Sequence, residues 1–279
     1  MGIQNILVLT DFSKNAWEAL EYARRLFQGE GCDIYLLNCY RREGFGPNRM
    51  HALDPDDGLN TQYRQHSERG LGRILSRIME ERPADGHKYY AISHAGGLEQ
   101  AIEQVMKANN IDLLVMGMCG MTICSDKPYS RKVLRIARKI RNIPLLVVPV
   151  GARFETRCEI LLLADLSRLA DPEQITRMSE VAQLCHASVR VLTACRGHVA
   201  EADYRKQKLA WRSRLNGVTN SFQDLGRSGY FNAFSGVLRT NGKLLGHFRR
   251  KPNIWQRIGF KSPDSARILR NTKDPVLLL

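Results

Sequence analysis

Short apolar runs alternate along the chain with stretches of helical period. Ile6 to Leu9 closes at Thr10-Asp11-Phe12-Ser13, after which Ala16, Trp17, Leu20, Ala23 and Leu26 recur every three or four residues. Such a run, a polar corner and a 3.6-residue stripe predict strand, turn and helix. Gly29 to Gly31 stops that helix, and Asp33 to Asn38 supplies a second strand. The polar stretch from Arg41 to Asn60 reads as a long loop and a candidate lid. A helix over about Tyr63 to Met79, a strand from Lys88 to Ser93, and a helix opened by Gly96-Gly97 follow. Asp112 to Met116 is then a fourth strand, Ser130 to Arg141 a helix and Leu145 to Val148 a last strand. Strands spaced by helices at this interval predict a mostly parallel sheet covered on both faces.

The pattern then starts again. Ile6-Leu-Val-Leu-Thr-Asp11-Phe-Ser13 returns as Ile160-Leu-Leu-Leu-Ala-Asp165-Leu-Ser167, and Pro128-Tyr-Ser130 before Val133-Leu-Arg135 returns as Pro263-Asp-Ser265 before Ile268-Leu-Arg270. Each copy ends in an apolar run, Leu145 to Val148 and Val276 to Leu279. A period this long corresponds to one domain per copy, which places boundaries at 1–152 and 153–279 with 153–158 as linker. In the second copy, Ile160 to Ala164 and Ser188 to Thr193 read as strands and Pro172 to Cys185 as a helix. Tyr204 to Leu215 reads as a basic helix, Gly229 to Phe234 as the third strand and Lys243 to Phe248 as a weak fourth. So few residues separate these last two that the crossover helix between them is expected to be absent or very short.

Charge changes the picture only in the second copy. The 279 residues carry a formal net charge of +14; residues 1–150 hold 20 basic and 17 acidic side chains, whereas 205–273 hold 16 basic side chains against Asp224 and Asp264 alone. This field attracts an acidic protein, nucleic acid or another polyanion without selecting among them. Aromatic and basic groups interleave around Trp211 and Phe248, yet no RNA-binding or zinc-finger signature organises them and nothing provides for reading bases. Apolar runs are far shorter than the roughly 20 residues of a transmembrane helix, and the amino terminus lacks a signal-peptide pattern, so a cytoplasmic location is expected. The seven scattered cysteines predict reduced, mostly buried thiols. The histidines show no metal-binding spacing, so no metal is expected. No serine has a visible base and orienting acid, so no enzyme chemistry is expected either.

Taken together, residues 6–13, Asp112-Leu-Leu-Val-Met-Gly117, Gly120, Ser130 with Val133-Leu-Arg135, and Pro144 to Val148 resemble the universal stress protein family, and the second copy matches at 160–167, 187–193 and 263–279. The chain thus resembles a tandem member. The resemblance implies two Rossmann-like α/β domains with mostly parallel five-stranded sheets, the second divergent, paired with each other through their last strands. It also implies a role in stress survival or regulation, with ATP bound in some members.

For ATP-binding members the resemblance implies an acid at the end of strand one beside the adenosine, and Gly-x-x-Gly, nine residues, then Gly and Ser or Thr around ribose and phosphates. Asp11, Gly117 and Gly120 match. The later glycine is lost, its place falling on Ser130 before Arg131 or on Lys127 before Pro128, according to which end is aligned. Glycine admits close backbone approach in a phosphate-cradling turn and proline removes an N–H; Lys127, Ser130 and Arg131 supply charge and a hydroxyl instead. Asp11 serves equally as a helix-capping residue, Gly-x-x-Gly equally as a sharp strand exit, and Asp165 reads better as a cap or turn residue. The expected function is a stress-response or regulatory protein binding adenine nucleotide in its first copy. The alternative is a scaffold that binds an acidic partner through its basic second copy.

Overall fold

The computed structural model describes residues 3–40, 58–81, 85–120, 130–154, 158–165, 171–194, 201–224, 243–249, 268–269 and 272–279. In the first half, β1 (Asn5–Leu9) leads through α1 (Lys14–Leu26) to β2 (Asp33–Tyr40), α2 (Gly58–Glu81) and β3 (Lys88–Ala95). The half then runs through α3 (Leu98–Asn109), β4 (Leu113–Gly117), α4 (Arg131–Lys139) and β5 (Leu145–Val148). The second half contains β6 (Glu159–Asp165), α5 (Pro172–Leu184), β7 (Ser188–Ala194), α6 (Glu201–Arg214), β8 (Asn220–Asp224), β9 (Leu244–His247) and β10 (Val276–Leu278). Helix starts follow local chemistry. Ser13 caps α1 by accepting from Ala16 N at 3.2 Å, and Asp171 caps α5 by accepting from Glu173 N at 3.0 Å with Pro172 at the first helical position.

The strands form one sheet in the order β3-β2-β1-β4-β5-β10-β9-β6-β7-β8. The two five-stranded sheets expected from the resemblance are thus one continuous ten-stranded sheet, joined through the last strand of each copy. Read from its other end with β6 to β10 matched to β1 to β5, the order is the same, so the two halves share one topology. Every described pairing is parallel except the seam, where β5 meets β10 antiparallel with Leu145, Leu146 and Val147 opposite Leu278, Leu277 and Val276. All six seam residues are fully buried. Burying one Val or Leu side chain is worth roughly 1.5–3 kcal/mol, against ~1 kcal/mol for a backbone hydrogen bond. Apolar burial therefore dominates the seam, and it arises because the carboxyl-terminal run of each copy is apolar on both faces.

Two apolar cores flank the sheet, and both run through both halves. One joins α1 and α2 to α5 and Trp211 of α6; the other joins α3 and α4 to Leu161, Leu163 and Ile268-Leu269. The outer strand of the second half is β8, Asn-Ser-Phe-Gln-Asp, paired parallel to β7. It lies upstream of the predicted third strand at 229–234, which falls outside the described residues. An edge strand with a mostly exposed polar sequence has no apolar run to reveal it. Nineteen residues separate β8 from β9, so the expected short connection gives way to one long enough for a crossover. The candidate lid, residues 41–57 of that stretch, also lies outside the described residues.

Candidate functional site

At the carboxyl ends of β1 and β4 the chain leaves the sheet in two neighbouring corners. After β1, Asn38 donates to Thr10 O at 2.8 Å, Phe12 N donates to Thr10 Oγ1 at 3.1 Å, and Ser13 N donates to Asp11 Oδ1 at 3.1 Å. These bonds hold Phe12 at φ 65°, a conformation costing a non-glycine residue roughly 1–3 kcal/mol. The strained corner turns the Asp11 carboxylate toward the exit of β4.

That exit packs against α1. The buried Asn15 donates from Nδ2 to Val148 O at 3.2 Å and accepts at Oδ1 from Cys119 N at 2.9 Å, joining the end of β5 to the loop after β4. A Cβ at Gly117 would lie 2.7 Å from Asn15 Oδ1 and 3.0 Å from Asn15 O, and one at Gly120 would lie 2.8 Å from Asp11 Oδ2. Gly117 is therefore required by helix packing. Gly120 is required by the carboxylate over which it closes.

The corners surround a cavity of about 560 Å³ whose walls include Asp11, Asn38, Cys39, Gly117, Gly120 and Ser130. Its volume is within the range of small-molecule sites. The amino termini of two helices face it: α3 through Gly97, Leu98 and Glu99, and α4 through Ser130 and Lys132. No side chain caps α3, whereas Ser130 Oγ accepts from Val133 N at 3.4 Å. Uncapped N–H groups and the positive ends of two helix dipoles favour an anion at that side of the cavity. Glu99 pairs with Arg135 there and Glu103 with Lys139 at 3.0 Å, so charge also cross-links α3 to α4. Among the described residues Lys132 makes no ion pair and remains available as a cation. Burial pushes the Cys39 thiol up to about 11, with Glu99 adding to the shift and Lys132 opposing it; at neutral pH it is a thiol.

Of the residues expected from sequence, Asp11, Gly117, Gly120 and Ser130 come together on this cavity. Arg131 does not line it. It is exposed at the first position of α4, and Lys132 and Arg135 of the same helix line the cavity in its stead. Lys127 lies outside the described residues. Asn15 carries no signal in the sequence beyond being a polar residue beside the apolar stripe of α1. The contribution of α3 was signalled by Gly96-Gly97, readable as a helix start without its place in the fold.

Among the described residues no group of three or more His, Cys, Asp or Glu could hold a metal ion, and no helix is long and apolar enough to cross a membrane. Ser93 donates to Ser67 at 2.8 Å and the neighbouring His94 meets Gln104 at 2.7 Å, so the two do not act on each other. The described cysteines, Cys32, Cys39, Cys119, Cys158 and Cys185, form no disulfide with one another. Within the basic segment 205–273, Arg249 is buried, which removes it from any exposed surface that a polyanion would meet.

An open α/β sheet with a ligand-sized cavity at the carboxyl ends of its strands is a fold of the doubly wound class. The chain belongs to the universal stress protein family, whose profile matches residues 2–149. Over its whole length it is similar in fold to a universal stress protein from Archaeoglobus fulgidus DSM 4304, at 14% identity and a TM-score of 0.66, covering 100% of this chain and 98% of the other. A functionally unknown protein from Pseudomonas aeruginosa PAO1 is similar at 16% identity, with 99% and 92% covered and a TM-score of 0.64. The cytoplasmic domain of a prokaryotic cation chloride cotransporter is similar at 13% identity, with 99% and 94% covered and a TM-score of 0.51. No curated protein sequence matches the chain. The family match, the full-length likeness and the mirrored strand order identify a tandem architecture.

Proposed function

We propose that this chain is a cytoplasmic stress-response or regulatory binding protein whose first half, residues 1–152, holds an adenine nucleotide such as ATP, while residues 153–279 form a divergent partner unit. The observation that carries this reading is the cavity between Asp11 and the amino terminus of α4. An acid at one side suits hydroxyl or amine donors of a nucleoside, and helix N–H groups with Lys132 at the other suit phosphate oxygens. Lys127 would add charge from the loop after Gly120. Among the described residues that line the cavity no nucleophile is paired with a base, so the output of the site is occupancy. Isothermal calorimetry of the full chain with ATP is expected to show one site per chain. No binding at millimolar ATP would overturn the reading, and mass spectrometry under native conditions would reveal a retained nucleotide.

A second reading, an acidic partner on the second half, rests on α6 and β8. There Lys208 Nζ and Arg212 lie 5.5 Å and 5.4 Å from the centre of the Phe222 ring, gathering two cations on one aromatic face.

A further inference from the structure

The two halves can be matched residue by residue through strand register. Ile6 corresponds to Ile160 in the repeat; Ile6 pairs with Leu113, and Ile160 with Leu244. Counting along each strand places Phe248 where the first half has Gly117, and Arg249 where it has Met118. The backbone agrees: Met118 N donates to Val148 O at 2.8 Å and Arg249 N to Leu279 O at 2.7 Å. Asn15 has its counterpart as well, since Gln174 Nε2 donates to both Leu279 O and Arg249 O at 3.3 Å.

At this matched position the halves diverge in chemistry. Met118 is packed in the core beside α4. Arg249 is just as buried, yet its guanidinium reaches into the other half, donating to Ile140 O and to Ile143 O. Ile140 is the carboxyl cap of α4. Arg177 of α5 donates to Asn142 O at 3.0 Å, so two arginines of the second half grip the turn that ends α4. The helix terminus supplies partial negative charge that suits them.

This arrangement is expensive. Burial, with Arg141 and Arg177 nearby, pushes Arg249 down to about 10, and its buried Nε has no partner among the described residues. A buried charge is often replaceable by an apolar residue of similar volume at no loss of stability, and the first half uses methionine at this very position. What the guanidinium supplies and methionine does not is a two-pronged hold on α4, whose other end brings Ser130 and Lys132 to the cavity. The nine-residue α4 is roughly 13 Å long at 1.5 Å per residue, so fixing one end of this short rod fixes the other.

We propose that Arg249 is a positioning residue through which the second half fixes α4 and sets the cationic side of the first-half cavity. The ATP arm of the test rests on the nucleotide reading; the α4 arm does not. In the full chain, R249M is expected to speed hydrogen exchange of the amides of 131–139 while leaving those of α1 unchanged, to weaken ATP binding about fivefold, and to leave the melting temperature undiminished. R249K keeps the charge without the fork and is expected to show the same α4 effect, which keeps the test open should R249M fail to fold. Unchanged α4 exchange in whichever folded variant is measured would overturn the proposal, as would faster exchange with unchanged ATP affinity. Should the wild-type chain bind no ATP, the nucleotide reading falls and α4 exchange alone decides whether Arg249 fixes that helix.

Discussion

Gly117 and Gly120 form one Gly-x-x-Gly motif but do different work, and substitution should separate them. At Gly117 an added methyl meets both the side chain and the backbone oxygen of Asn15. Backbone cannot swing away, so Gly117→Ala is expected to destabilise by about 1–3 kcal/mol in urea unfolding. At Gly120 the methyl meets only the end of the Asp11 side chain. Gly120→Ala should therefore leave stability nearly unchanged and weaken ATP binding in calorimetry by displacing that carboxylate. A second residue-scale prediction concerns pH. Burial pushes the Asp85 carboxyl up, but hydrogen bonds from Tyr89, His87 N and Arg24 outweigh it and hold the group below its ordinary 3.8. A depressed carboxyl stabilises the fold above its unfolded value and loses that contribution as pH falls through its folded value. Acid unfolding below pH 3.8 should accordingly be steeper in the wild type than in Asp85→Asn. Asp85→Asn should also cost about 1–3 kcal/mol at pH 7, since Arg24 keeps Glu21 and Glu81 as partners.

Legibility differs among the elements for a physical reason. Strands buried on both faces, β1, β4, β5 and β6, announce themselves as apolar runs. So do helices with one apolar stripe, and their boundaries agree with the sequence pattern to within a few residues. The edge strand β8 leaves no apolar run in the sequence because only Phe222 among its five residues is apolar. In the site, Asp11 is readable as the acid that ends an apolar run, and Gly117, Gly120 and Ser130 through the motif of the family the sequence resembles. Lys132 and Asn15 are not, because which side of α4 faces the cavity, and what α1 meets at the far side of the sheet, are tertiary facts. Element α6 carries its own prediction. If its cations recruit a polyanion, neutralising Lys206, Lys208 and Arg212 together should reduce binding of a fluorescent single-stranded oligonucleotide, with affinity falling steeply as salt rises. Neutralising three basic residues of the first half should do less. Equal losses from the two sets in fluorescence anisotropy would place the contact elsewhere.

Across the whole molecule the copies have stayed alike where they meet and diverged where a ligand would sit. The seam is symmetric down to matched residues, Leu146 facing Leu277 at its centre. The exits of β4 and β9 are not: at Gly117 the space a side chain would need is taken by Asn15 of α1, whereas its counterpart Phe248 packs against Trp211 with ring centres 5.5 Å apart. With Arg249 and Arg177 held on the turn that ends α4, the second half serves the first as support on the proposal made above. Support of this kind requires that the halves unfold together, and the cores make that expectation concrete because each draws side chains from both copies. Scanning calorimetry of the full chain should show a single transition. Leu146→Ala and Leu277→Ala should each lower that one transition, at about 2–5 kcal/mol apiece for a fully buried leucine. Because the two face each other, the double variant should cost less than the sum of the single ones, the second truncation enlarging a void the first has already opened. Two resolved transitions, only one of which responds to Leu277→Ala, would mean that the second half is an independent unit joined at an edge and that its influence on the cavity ends at the seam.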